Sequence, residues 1–243
     1  MKHLRTVTLA EIVKQNAKAI DILEDFSLDY FCHGFQRLED VCQETNVDAS
    51  RVIKLITEIA QNSSQNDFDT CKLIPLIDYI CSKHHNYVKT QTPLLDKQLL
   101  IAEEQLAHKY PRICEIRKQF SEIAGELMLH VKKEEFLLFP FIKRLERAKD
   151  SRQIVASPLF GWGCSPVRMM KNDHAIECDK FRRIKYLTND YTSPNKNLIL
   201  LISIFQQLKE YEKDLHFHIH LENNILFPKA LDLEKQVDVA GPF

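Results

Sequence analysis

The stretch HVKKEEFLLFP (130–140) returns near the carboxy terminus as HIHLENNILFP (218–228), with His, Glu, Leu, Phe and Pro at the same offsets. Four residues is just over one turn of an α-helix, so His130 and Glu134 share one face about 6 Å apart along the axis, and so do His218 and Glu222. Charged pairs at this spacing are common on surface helices, where most are solvated. These two sit in apolar surroundings: Leu127, Leu129, Leu137, Leu138 and Phe139 flank the first, and Leu215, Phe217, Leu221, Ile225, Leu226 and Phe227 the second. An ionised carboxylate buried there needs a partner. A metal shared between the two pairs supplies it.

The same three-and-four recurrence of apolar residues runs through most of the chain, strand-like alternation is scarce, and only 5 glycines occur in 243 residues. The pattern predicts an all-α protein. Thr8 and Glu11 have the spacing of a capping box, which predicts a first helix over 8–24. Two shorter helices follow at 35–44 and 49–61. The polar run SSQNDFDT (63–70) then marks a boundary between a small helical amino-terminal domain, 1–65, and a larger domain, 66–243. Four long segments are expected in the second part, 71–109, 111–148, 166–189 and 194–233, with Pro111 and Pro194 in first turns and Ser193 capping the last. KDSRQIVASPLFGWGCSP (149–166) is the one long connection. Four helices with mostly short links predict a four-helix bundle.

Composition narrows the partners. Acidic and basic residues nearly cancel, 34 against 33, so no charge excess argues for nucleic acid or an anionic membrane surface. Apolar residues make up 44% of the chain, yet the longest apolar run, 198–205, falls well short of the roughly 20 residues that span a bilayer. The amino terminus, MKHLRTVTLAEIVKQN, lacks the pattern of a secretory signal. Seven cysteines without a CxxC pair fit free thiols in a reducing cytosol, most of them small buried hydrophobes. The expectation is a cytoplasmic protein with no membrane segment. A conventional hydrolase is disfavoured, since there is no G-x-S-x-G elbow, no phosphate-cradling glycine loop and no H-E-x-x-H.

If a bundle encloses a site, the other two helices contribute as well, and each offers histidine: His84 or His85 in ICSKHHNYVK, and His174 in MMKNDHAIECDKF. Four imidazoles and two carboxylates exceed the four ligands of a closed structural zinc site. Shared between two ions, they give each cation two nitrogens and two bridging carboxylates. A bridging oxide or hydroxide would add a fifth donor to each ion and leave one position open. Imidazole with carboxylate suits iron, manganese or zinc, and disfavours calcium.

The motifs KHHNYVKTQTP, HVKKEEFLLFPFI, NDHAIECD and HIHLENNILFPKAL resemble the hemerythrin-like domain of the iron-sulfur cluster repair family, also called repair of iron centres. TLAEIVKQNAKAIDILEDFSLDYFCHGFQRLEDVC resembles the small domain that precedes it in that family. The resemblance covers nearly the whole chain. It implies a hemerythrin-like four-helix bundle holding two iron ions, oxo- or hydroxo-bridged, on His85, His130, Glu134, His174, His218 and Glu222. His85 is preferred to His84 because the family ligand stands eight residues before a proline, here Pro93. Glu135 and Asp173 are expected to orient ligand imidazoles. His84, His216 and His220 go to surface or supporting positions. The implied activity is repair of clusters damaged by nitric oxide or peroxide, with iron-sulfur proteins as clients and nitric oxide or oxygen as small ligand, bound or reduced at the irons. A gas carrier or sensor and a structural dizinc bundle are the competing readings.

The amino-terminal part departs from the family, in which an aspartate and an aromatic precede two adjacent cysteines and two glycines. Here Asp29-Tyr30 is followed by Phe31-Cys32-His33-Gly34. One thiol of the pair is missing, and Cys32 is left as a candidate thiol site beside an inert alternative. Three short helices bury little apolar surface alone, which is compatible with a homodimer through the small domain.

Overall fold

A computed structural model describes residues 2–60, 68, 70–151, 155–156, 164–237 and 239–240. The expected domain boundary near residue 65 and most of the connection at 149–166 lie outside the described residues. The amino-terminal region contains α1 (Lys2–Thr6), α2 (Leu9–Gln15), α3 (Ala19–Asp25), α4 (Leu38–Glu44) and α5 (Ala49–Ala60). The capping box is present: Thr8 Oγ1 accepts from the Glu11 amide and the Glu11 carboxylate accepts from the Thr8 amide.

The helix expected over 8–24 is two helices. Asn16 leaves the helix in an extended conformation, and its Oδ1 accepts from the Lys18 amide at 3.1 Å, the local bond by which asparagine competes with a continuing helix. Residues 35–37, with Gly34 before them, also run outside the helix expected over 35–44. Their carbonyls at Gly34 and Gln36 accept from the amides of Ala10 and Leu9, so α4 begins only at Leu38.

The rest is built from four helical rods. The first joins α6 (Leu73–Ile80) to α7 (Asn86–Leu106) through a π-helical turn, Cys81–His85. The second joins α8 (Arg112–Lys133) to α9 (Phe139–Ser151) through another, Glu134–Leu138. The third is α10 (Cys164–Leu187). The fourth joins α11 (Ile199–Leu221) to α12 (Phe227–Glu234) through Glu222–Leu226. The last rod starts later than expected: Asn189, Asp190 and Tyr191 turn the chain with positive φ, and Ser193 donates to the Asn195 carbonyl instead of capping. Two-residue strands β1 (Val155–Ala156) and β2 (Val239–Ala240) pair in parallel.

The rods pack in a ring, α7 on α8, α8 on α10, α10 on α11 and α11 on α7, which makes an all-α four-helix bundle. Two apolar clusters fill it. One holds Val88, Leu127, Val131, Phe181, Leu215 and Ile219 and runs on into Leu23, Leu28, Tyr30 and Phe31 of the amino-terminal region. The other holds Ile77, Ile80, Leu138, Phe139, Met170, Ile225 and Phe227. Along every rod, His85, His130, Glu134, His174, His218 and Glu222 fall at the seam between the clusters. Among the described residues, no helix is long and apolar enough to cross a membrane.

Candidate metal centre

Three of the four rods carry a π-helical turn at this seam, with Glu134 and Glu222 opening theirs and His85 closing the first. Such widened turns are rare inside α-helices and cluster at functional sites. The repeated LFP ending gives a local reason for two of them. Pro140 and Pro228 have no N–H to donate to the residues four earlier, Phe136 and Asn224, and their rings crowd those carbonyls; both positions lie within the widened segments. Nothing in the sequence of 81–85 explains the third.

Each glutamate stands between two imidazoles from different rods. Glu134 places Oε2 at 3.3 Å from His85 Nε2 and Oε1 at 3.2 Å from His130 Nε2. Glu222 places Oε1 at 2.9 Å from His218 Nε2 and Oε2 at 3.2 Å from His174 Nε2. The donors thereby form two overlapping sets, His85, Glu134, His218 and Glu222, and His130, Glu134, His174 and Glu222, each with ligand atoms within 4.8 Å of one another. Both carboxylates belong to both sets, one oxygen to each. All six residues are buried, none more than 1% exposed.

These contacts are close, yet they are not satisfied hydrogen bonds. Both oxygens of Glu134 and of Glu222, Nε2 of His85 and both ring nitrogens of His218 lack a hydrogen-bond partner. Nε2 of His130 and Nε2 of His174 face each other at 3.1 Å, where two neutral imidazoles present either one shared proton or two opposed lone pairs. Fully buried polar atoms left this way are costly. Cations between them would satisfy the carboxylate oxygens and the Nε2 atoms together, leaving His218 Nδ1 without a partner, and the nitrogen and carboxylate donors suit a first-row transition metal. The residues present fit a pair of metal ions.

Without cations, protons balance the carboxylates. Burial pushes Glu134 and Glu222 upward, but the neighbouring imidazoles hold both below the ordinary carboxylate value, Glu222 well below it. Burial works against the charged form of His85 as well, but Cys81 and the Glu134 carboxylate beside it outweigh burial and raise the imidazole to about 10. His130 is likewise raised, by Glu134 and Asp173 acting against burial. Burial prevails at His218, which is lowered.

The outer nitrogens aim the rings. His85 Nδ1 lies 2.9 Å from Glu135 Oε1, and Lys89 holds the same carboxylate. His130 Nδ1 lies 3.6 Å from Asp173 Oδ2, an ion-pair distance longer than a hydrogen bond. His174 Nδ1 lies 3.1 Å from Asn223 Oδ1. Of these orienting groups, Asn223 was not legible in the sequence, since its only signal is its place directly after Glu222. Glu177 was missed too. One turn beyond His174, it is 1% exposed with neither oxygen bonded, and burial, opposed by His130 and His174, raises its carboxyl to about 7. It can hold a proton beside the centre.

His84 turns away from the cluster. Its Nδ1 lies 2.9 Å from Asp214, and it belongs to neither donor set. His216 and His220 are not surface residues: 6% and 1% exposed, they face the amino-terminal region. His216 stacks on Phe31 at 3.7 Å with Nδ1 at 2.7 Å from Glu24, and His220 Nδ1 lies 3.4 Å from the Tyr30 carbonyl. Positions two residues from a ligand point to the far side of the helix, and that side is covered by residues 21–31. Cys32 lies near α10, with its Sγ 3.8 Å from Cys178 Sγ, whereas His33 is engaged by Asp29 at 2.8 Å.

Fold and site together define a helical-bundle protein whose buried His/Glu cluster is suited to paired metal ions. Residues 5–60 match the family ScdA_N, described as a domain of unknown function (DUF542). A protein of Haemophilus influenzae named "Probable iron-sulfur cluster repair protein" is 31% identical over 230 residues, which are 92% of this chain and 96% of that relative. Proteins named iron-sulfur cluster repair protein YtfE from Citrobacter koseri and Enterobacter sp. are 28% and 29% identical over 227 residues, 93% of this chain and 97% of each relative. The chain belongs to the family of iron-sulfur cluster repair proteins.

Proposed function

We propose that the protein serves the repair of iron-sulfur clusters damaged by nitrosative or oxidative stress in the cytoplasm, by supplying iron from a di-iron centre. His85 and His218 would hold one ion, His130 and His174 the other, and Glu134 and Glu222 would bridge them. The observation that carries this reading is the division of each carboxylate between the two donor sets. Relatives aligned over nearly the full chain and named for cluster repair support the direction of the chemistry. Bound iron would supply redox chemistry and an exchangeable coordination position. The chain itself supplies the buried donors, the orienting groups Glu135, Asp173 and Asn223, and the exclusion of water. Carboxylate and imidazole hold ferrous iron less tightly than a thiolate cage, which favours a donor over a permanent store.

The test is metal analysis with an optical spectrum on protein purified from iron-replete cells, followed by addition to an enzyme whose cluster nitric oxide has damaged. About two irons per chain and recovery of the enzyme are expected. A colourless protein loaded with two zinc ions would refute the iron reading. A second reading, hemerythrin-like binding of nitric oxide or oxygen with the metals retained, is favoured by the complete burial of all six residues, since a small gas enters more readily than an ion leaves. Reversible gas binding without recovery of the damaged enzyme would select it.

A further inference from the structure

The seven cysteines form no sequence motif, yet the fold brings two of them together across 146 positions. Cys32 Sγ and Cys178 Sγ are 3.8 Å apart, in contact and unbridged. Cys178 stands on α10 one turn beyond His174 and is 1% exposed. Cys32 is half-buried in the irregular stretch between α3 and α4, and its amide donates to Asp29 Oδ1 at 2.8 Å. We propose that Cys32 and Cys178 are a redox modification site, a dithiol that peroxide closes to a disulfide between the amino-terminal region and the helix carrying His174.

Geometry favours this chemistry over a metal site. Among the described residues, no third histidine, cysteine or carboxylate joins the two sulfurs in a donor cluster, and the adjacent His33 is held by Asp29. Two thiolates alone leave a cation under-coordinated. A disulfide asks only that the sulfurs close from 3.8 Å to about 2.05 Å. Backbone on both sides is already fixed: Cys178 lies within a helix, and the carbonyls of Tyr30 and Phe31 accept from Asn224 Nδ2 at 3.2 and 3.1 Å. Side-chain torsion at Cys32 supplies the approach.

The two sulfurs divide the roles. The hydrogen bond to Cys32 and then burial raise the Cys178 thiol well above its ordinary value, which leaves it the poorer nucleophile. Solvent reaches the half-buried Cys32, so peroxide meets this sulfur first. The Cys32 thiolate attacks one peroxide oxygen, the O–O bond breaks, and with one proton taken up the products are a sulfenic acid and water. The Cys178 sulfur then attacks the sulfenic sulfur, the S–O bond breaks, and the thiol proton leaves with the hydroxide as a second water. The two thiols lose two electrons and two protons, and one peroxide becomes two waters. A dithiol reductant reverses the bond by exchange.

The experiment uses the full-length protein, treated with an equimolar amount of hydrogen peroxide, unfolded in an alkylating reagent and digested without reduction for mass spectrometry. The expected result is a cross-linked peptide pair containing Cys32 and Cys178, with both residues unlabelled and both recovered for alkylation after dithiothreitol. Cys32→Ser and Cys178→Ala should each abolish the cross-link, and Cys71→Ser should keep it. Wild-type mapping decides the matter even where a variant folds poorly. Cys178 fully alkylated while Cys32 ends as sulfinic acid, or as a disulfide to a second molecule, would overturn the proposal. The readout is the same with or without bound metal, so it is independent of the di-iron reading.

Discussion

His220 links acid stability to the contact between the bundle and the amino-terminal region. Burial lowers its imidazole from the ordinary 6.5 to about 4, with Lys14 adding to the lowering and the Tyr30 carbonyl opposing it, because charge would have to form between Tyr30, Phe217 and Asn224. The unfolded chain therefore takes up this proton more readily than the folded one, so the stability the group confers is complete above pH 6.5 and is lost as the pH falls through 6.5 towards 4. Between about pH 7.5 and 5 the loss from this residue is about 2 kcal/mol, rising to about 3 kcal/mol below pH 4. His220→Asn keeps a donor near the Tyr30 carbonyl and removes the titration. Urea unfolding of both proteins at the two pH values, in matched metal states, should show the wild type losing about 2 kcal/mol more than the variant. The other titrating groups are common to both and cancel. Indistinguishable acid losses would refute the reasoning, because they would mean that His220 is protonated in the fold or solvated when folded.

Three further predictions concern the centre. Glu134→Ala or Glu222→Ala should lower metal content sharply, as measured by elemental analysis; retention of the full wild-type content would count against shared carboxylates. His84→Ala should keep the metals and His85→Ala should lose occupancy, since only His85 belongs to a donor set; the reverse outcome would move the ligand by one position. Asn223→Leu removes the acceptor at His174 Nδ1 and should weaken metal binding about 10–100-fold in a chelator competition, the usual cost of losing a group that orients a ligand.

Much of this arrangement is legible in the chain because it rests on helical period. The repeated His and Glu pairs, the histidines at 85 and 174 and the apolar residues around them each need only one helix to be understood, and each lies at the seam of the bundle. Four features needed more than periodicity. Two of the π-helical turns depend on how a rod resolves a proline and a buried polar residue within the same few positions, which a regular 3.6-residue count conceals. The break at Asn16 depends on a side chain winning a backbone amide from the helix. His216 and His220 were displaced from the surface by residues 21–31, a cover that the pattern of α11 alone cannot announce. Cys178, one of seven cysteines expected mostly to be small buried hydrophobes, meets Cys32 only through the packing of α10 against that same cover.

That cover also reaches the candidate site. Asn223 has one side chain and two duties: Oδ1 meets His174 Nδ1 at 3.1 Å, and Nδ2 donates to the Phe31 carbonyl at 3.4 Å. An amide turned to satisfy one contact is turned for both, so the orientation of a candidate ligand is tied to the backbone just before Cys32. Gly34 lets that backbone come close, since a Cβ there would stand 2.5 Å from the Tyr30 carbonyl and within 3 Å of the Asn224 amide. Bundle helices alone could bring the six donors together, but this aim on His174 comes from residues that begin almost two hundred positions earlier. A shift of the turn at 30–34 would therefore reach the His174 ring through Asn223.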